Sequence, residues 1–229
     1  MSIKDKRIHP PFWQHDYHVL TKLYSVIKES IKFVKNKNIL IDYGCGDLPY
    51  KHLFMDNFKK YVAVDIGENQ QADISVKENE RIPIKDNSAD LVLSTQVLEH
   101  VRDVDFYMKE CQRLIKSGSF LLISTHGVWP YHEFPHDYNR WTRRGLEGLI
   151  SKFGFKIVKT WPILTGFAVT LQFELLLFAN IFHKWGMWGK IPLAVVVLVG
   201  NCLIYFLDLL FFDRHAFDAS VFVILAQKK

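Results

Sequence analysis

The stretch Ile39-Leu40-Ile41-Asp42-Tyr43-Gly44-Cys45-Gly46-Asp47 constrains this chain more than any other. A short apolar run closed by an acid and then Gly-x-Gly is a strand that turns sharply. Glycines there let the backbone approach a ligand at the carboxyl end of a sheet. A nicotinamide dinucleotide site has such a turn too, but its third glycine would fall where this chain has Pro49. Asp42, just before the glycines, suits the cationic amino end of a zwitterionic ligand better than a pyrophosphate. A second strand, 61–64, closes on Asp65, placed to accept both hydroxyls of a ribose.

Apolar residues recur at helical spacing over 17–35, and further short strands are expected at 73–74, 91–93, 120–123, 155–158 and 221–225. Between them, helices are expected from Asp103 to Lys116, stopped by Gly118, and from a Thr142 cap to Lys152, ended by Gly154. Strands alternating with helices predict a doubly wound α/β sheet.

The pattern breaks between the sixth and seventh strands, where residues 163–182 and 191–212 hold no Lys or Arg. Each run is long enough, as a helix, to cross a hydrocarbon layer of roughly 30 Å. The connecting residues include Lys184, Trp185, Trp188 and Lys190, the kind of residue found at a membrane interface. The expectation is an apolar two-helix hairpin, 163–212, inserted into a domain formed by 1–162 and 213–229. It would serve as a membrane anchor or as a hydrophobic lid. Glu174 lies near the middle of the first run, and an unpaired carboxylate at mid-bilayer costs about 2.5–3.5 kcal/mol. In a hairpin turning at Met187–Trp188, residues whose numbers sum to 375 lie level, so Glu174 would meet Asn201.

Net charge is +5, and residues 1–60 hold 11 Lys/Arg against 6 Asp/Glu. A basic N-terminal part with an apolar segment later favours an anionic membrane surface as partner. Basic patches interleaved with aromatics do not stand out, so no nucleic-acid partner is expected. Cys45, Cys111 and Cys202 show no paired spacing, which argues for a reducing compartment and against disulfides or a zinc knuckle. The first residues lack an apolar stretch of signal-peptide type. The expected location is the cytoplasmic face of a membrane, or else the cytoplasm.

Four motifs stand in order: Asp42 to Gly46, Val64-Asp65, the stretch 82–101 and the stretch 110–125. On these the chain resembles the class I S-adenosylmethionine-dependent methyltransferases, in particular the methyltransferase type 11 group, over residues 38–160. The resemblance implies a Rossmann-like sheet, mostly parallel with the last strand antiparallel, and S-adenosylmethionine as cofactor. It places Asp42, Gly44, Cys45, Gly46, Asp65 and Gln96 at the cofactor. Many relatives carry an acid near the end of the third strand, beside the adenine. This chain has Lys77-Glu78 there, and no residue is assigned to the adenine.

After the fifth strand comes Thr125 to Thr142, with three histidines, and it resembles a subgroup pattern formed here by His132, Pro135, Asp137, Tyr138, Arg140 and Thr142. A hydroxyl acceptor must lose its proton as it attacks, which points to His132 or His136 as base. Asp137 would orient that base or replace it. The competing view makes Asp137–Arg140 a structural ion pair and Thr142 a helix cap. Pro135 breaks the spacing of a paired-His helix site, so no metal is expected. The expected activity is methylation of oxygen on a lipid-linked or lipophilic acceptor at the membrane surface. The rivals are a soluble methyltransferase of a small hydrophobic substrate, with the hairpin as lid, and a non-catalytic cofactor-binding module.

Overall fold

The computed structural model describes residues 7–133 and 136–229. Its strands are β1 (Ile39–Tyr43), β2 (Lys60–Ile66), β3 (Ile74–Val76), β4 (Ala89–Thr95), β5 (Ile115–His126), β6 (Phe155–Ile163) and β7 (Val221–Lys228). They form one sheet in the order β3-β2-β1-β4-β5-β7-β6. The pairs from β3 across to β5 are parallel, whereas β7 runs antiparallel to both β5 and β6. This is the mostly parallel sheet with an antiparallel last strand that the motifs implied.

The helices are α1 (Tyr17–Ser30), α2 (Lys51–Met55), α3 (Val104–Leu114), α4 (Arg143–Lys152), α5 (Phe167–Lys184) and α6 (Lys190–Phe211). Side chains alternate across a strand, so Leu40 and Ile41 serve opposite faces and both are fully buried. On one face Ile41, Val92 and Ile123 pack with Met108 and Leu114 of α3 and Ile150 of α4. On the other, Leu40, Leu91 and Val223 pack with Val19, Leu23 and Ile27 of α1. Burial on both faces explains why these strands are near-continuous runs of aliphatic residues.

Several boundaries differ from expectation for identifiable reasons. The first helix stops at Ser30 and continues as a tighter turn, Ile31–Phe33, instead of reaching 35. The helix expected to run to Lys116 ends at Leu114 because β5 starts at once, pairing Ile115 with Ala89. Gly118, at φ +75°, lies inside β5 and does not end the helix. Between β4 and α3 the chain makes a single tight turn, Leu98–His100. Its carbonyls are claimed from elsewhere: Glu99 O accepts Tyr138 N at 2.8 Å, and Val101 O accepts Asn139 Nδ2 at 2.8 Å. The Thr142 cap is as expected, its hydroxyl accepting Gly145 N at 3.1 Å.

The two apolar helices α5 and α6 follow β6 and meet across Leu175 and Gly200. Those numbers sum to 375, the level anticipated for such a pair. The polar pairing anticipated at that level does not form. Asn201 is fully buried and donates to the carbonyls of Phe12 at 2.6 Å and Gln14 at 3.0 Å, while Glu174 is exposed. A neutral amide can be buried when backbone acceptors meet it, whereas a buried carboxylate needs a stronger partner. Further ties run along the same line. Gln172 donates to His15 O at 2.8 Å, His18 Nε2 to Asn201 O at 2.8 Å, and Lys22 pairs with Asp208 at 2.5 Å. Ala168, Leu175, Val197 and Ile204 join the core beside α1. The helix pair therefore lies along one face of the domain.

Candidate active site

At β1 the strand order reverses, with β2 on one side and β4 on the other. In open α/β sheets the crevice at such a point, beyond the carboxyl ends of the strands, takes the ligand. Here it holds a cavity of about 850 Å³ whose walls include Gly44, Cys45, Gly46, Asp65 and Gln96.

The glycine turn is shaped for this place. Gly44 sits at φ +85°, and a Cβ on it would clash with Val97. The N–H groups of Gly44 and Cys45 both donate to Val64 O, at 2.8 and 3.1 Å, drawing the turn against the end of β2. Gly46 faces open space, and its N–H donates to Asp65 Oδ2 at 3.0 Å. Asn69 Nδ2 donates to the same oxygen at 2.6 Å and Ile66 N to Oδ1 at 2.9 Å. These donors hold the Asp65 carboxylate on the cavity wall. Gln96 takes a left-handed conformation, φ +55°, and its side-chain amide donates to Ser124 Oγ at 3.0 Å. The Cys45 side chain is buried against Leu48 and Ala63, and burial pushes its thiol up to about 12. A cradle that Cβ atoms would fill, with a carboxylate fixed at its rim, fits a nucleoside-bearing sulfonium.

Asp42 requires a correction. It is 3% exposed, accepts the Tyr61 hydroxyl, and does not line the cavity. Strand alternation puts Asp42 on the face of Leu40, where the Tyr61 hydroxyl from β2 meets it. Burial pushes its carboxyl up to about 7, against the hydrogen bond from Tyr61. Asp42 braces β1 against β2 behind the glycine turn through the Tyr61 hydroxyl.

On the acceptor side the structure separates the three expected residues. Asp137 is clamped by Arg140, which also donates to the carbonyls of Trp129 at 3.1 Å, Pro130 at 2.7 Å and Asn139 at 2.8 Å. Burial alone would raise the Asp137 carboxyl, but bonds from Arg140 and from His132 N at 2.7 Å hold it below its ordinary value. A carboxylate so held is a weak base. It ties the loop together. Pro135 lies outside the described residues. His132 and His136 both line the cavity, and His136 O takes a hydrogen bond from His100 Nδ1. Burial and the neighbouring His100 lower the pKa of His132, leaving its imidazole neutral near pH 7.

Two residues absent from the expectation lie against this group. Glu99 is fully buried, and Thr125 Oγ1 donates to its Oε2 at 2.8 Å. Its Oε1 lies 3.3 Å from His126 Nδ1, and the His126 ring stacks on Trp129 at 4.5 Å. The His132 ring is 6.2 Å from that of His126. Burial pushes Glu99 up to about 7 and His126 well below its usual range, so the pair is favoured in its neutral form. The sequence carries the two residue types, but the fold is what pairs them. Glu99 follows β4 and His126 ends β5, and these strands are paired neighbours.

A pH-dependent prediction follows from Glu99. Its folded pKa is raised, so the folded state holds the proton more tightly and stability falls as pH rises from about 4.5 to 7. Glu99→Gln removes that loss. Its stability advantage over the parent should grow by about 2–3 kcal/mol between pH 5 and pH 8, measured by urea unfolding. A constant difference across that range would contradict the buried, raised carboxyl.

Residues 41–123 match the family model described as "Methyltransferase domain". A Mycolicibacterium smegmatis protein named "Probable S-adenosylmethionine-dependent methyltransferase" is 28% identical over 95 residues, covering 38% of this chain and 37% of that protein. A "Ubiquinone biosynthesis O-methyltransferase" of Sinorhizobium medicae is 32% identical over 99 residues, covering 38% of this chain and 40% of the relative. The chain thus spans well under half the length of these curated relatives. The solved structure of a SAM-dependent methyltransferase from Archaeoglobus fulgidus shares the fold, with a TM-score of 0.55, 16% identity, and coverage of 98% of this chain and 97% of that one. Motifs, sheet order, glycine cradle and these matches agree: over residues 41–123 the chain is similar to the methyltransferase domain family, and its fold is that of the S-adenosylmethionine-dependent methyltransferases.

Proposed function

We propose that this protein transfers the methyl group of S-adenosylmethionine to an oxygen of a lipophilic or lipid-linked acceptor at a membrane surface. The observation that carries this reading is the composition of the cavity. Its walls bring Gly44 and Asp65 together with His126 and His132, and they also include Leu20 and Leu23 of α1 and Leu176 of α5, beside His15, Asp16 and Asn180. A wall that joins the polar groups of the glycine turn to leucines of α1 and α5 suits an acceptor with both a polar group and an apolar part. The similarity to ubiquinone biosynthesis O-methyltransferases supports an oxygen acceptor on a lipophilic molecule.

When bound, the cofactor supplies an electrophilic methyl group on sulfur. The chain must hold an acceptor in line with it and keep water out, since positioning contributes most to such a displacement. In this reading His132, neutral near pH 7, takes the acceptor's hydroxyl proton as the oxygen attacks. The buried Glu99–His126 pair backs it with a low-polarity wall, and Arg140 holds the loop in place through Asp137.

His132→Ala is expected to lower turnover by about 100-fold with cofactor affinity unchanged, and His136→Ala by less than tenfold. Turnover is read with methyl-labelled cofactor and a membrane lipid extract as acceptor source. Label appearing in the organic-soluble fraction supports the function. Label only in protein or nucleic acid, or none with tight cofactor binding, refutes it.

A further inference from the structure

We infer that α6 lies lengthwise in one leaflet of an anionic membrane, bedded in its surface layer, and does not cross the bilayer. This placement deepens the reading above by naming where the acceptor enters, and rests on that reading for the acceptor's lipophilic nature.

The outward stripe of α6 is apolar along its whole length. Val195, Leu198, Val199, Leu203, Phe206 and Leu210 are all exposed, Phe206 by 57%. A 22-residue helix is about 33 Å long, so this face is far larger than scattered surface leucines would make. Both ends carry the side chains that favour a lipid headgroup layer. At the tip, Trp185 and Trp188 are exposed beside Lys184 and Lys190, with Trp188 at 87%. At the base, Phe211, Phe212 and Phe217 are exposed, with Arg144 lying 5.1 Å over the Phe217 ring and Arg214 exposed nearby in the chain. Aromatic and basic residues at both ends of one apolar stripe match a helix lying in the interface, where both ends meet headgroups. Asp213 and Asp218 at the base are the acidic exceptions.

Crossing the bilayer conflicts with how the other face is used. The inner stripe is held to the domain by Asn201 and by the Lys22–Asp208 pair, and α5 beside it is held by Gln172. Surrounding α6 with lipid would either break these ties or drag α1, with Lys22, Lys28 and Glu29, into hydrocarbon. Glu174 turns outward on α5 with no partner from α6, which mid-bilayer burial would penalise. With α6 as the deeper helix, Glu174 stays at headgroup level. Leu176 of α5 lines the cavity, so the helix packed against α6 forms part of the site's wall.

The native cysteines make the test direct, since Cys202 is exposed on the outward stripe while Cys45 and Cys111 are buried. Purified protein is added to preformed vesicles of phosphatidylcholine and phosphatidylglycerol (about 7:3), and an impermeant maleimide is added outside. Expected is at least tenfold slower labelling of Cys202 with vesicles than without. In a Cys202→Ser background, Trp188→Cys at the tip should stay fully reactive. Val199→Asp with Phe206→Asp should reduce the vesicle-bound fraction at least tenfold while cofactor affinity is retained. Protection of Trp188→Cys until detergent is added would mean a crossing hairpin and overturn the proposal. Equal labelling of Cys202 with and without vesicles would overturn it in favour of a lid in a soluble enzyme. Neither outcome touches methyl transfer, whose failure in a lipid extract would sink the functional reading and leave vesicle docking standing.

Discussion

Asp65→Ala should weaken S-adenosylmethionine binding by about 2–4 kcal/mol, roughly 30-fold to 1,000-fold, measured by titration calorimetry. The carboxylate stands at the end of β2 on the cavity wall, held by Gly46 N, Asn69 Nδ2 and Ile66 N. A ribose binding there would exchange water for two charge-assisted hydrogen bonds, and Ala offers none. The same substitution also releases Gly46 and Asn69, so the glycine turn loses its tether to β2. Asn69→Ala, which leaves the carboxylate in place, should therefore show a smaller loss of about 1 kcal/mol. Unchanged affinity in Asp65→Ala would exclude this rim as the ribose site.

Asn201→Leu should destabilise the protein by about 2–4 kcal/mol in urea unfolding. The side chain is fully buried, and removing it leaves the carbonyls of Phe12 and Gln14 without their donor. Part of that cost is offset, because Asn201 Oδ1 is itself buried without a hydrogen-bond partner. Tyr205→Leu, on the exposed side of the same helix, should stay within about 0.5 kcal/mol of the parent. Were Asn201 paired with Glu174, Glu174→Gln would couple to it in a double-mutant cycle. The structure predicts that the two effects add without coupling.

The sheet and the cofactor turn were legible in the linear sequence because their signals are local. Gly44 is needed where a turn must take a positive φ and pass Val97, and Asp65 is needed at one strand end. Each can be read from its immediate neighbours. Strand type was legible for the same reason, as a short aliphatic run has few other places to go than between two covered faces. Element ends were less so. Leu114 stops a helix because Ala89 is waiting to pair with Ile115, and nothing near Leu114 announces a residue twenty-five positions away.

What only the tertiary structure decided was which way side chains face. Asp42 has the residue type and the position of a ligand contact, yet the fold sets it beside Tyr61 of the neighbouring strand, where it is buried. Asn201 and Glu174 lie at one level on two helices, yet the carbonyls of Phe12 and Gln14, nearly two hundred residues earlier, capture the amide. Glu99 and His126 come together because β4 and β5 are neighbours in the sheet. A chain carries its propensities residue by residue. The partner that satisfies a buried polar group is set by the packing of distant segments, because leaving that group unmet costs as much as a sizeable share of the folding free energy.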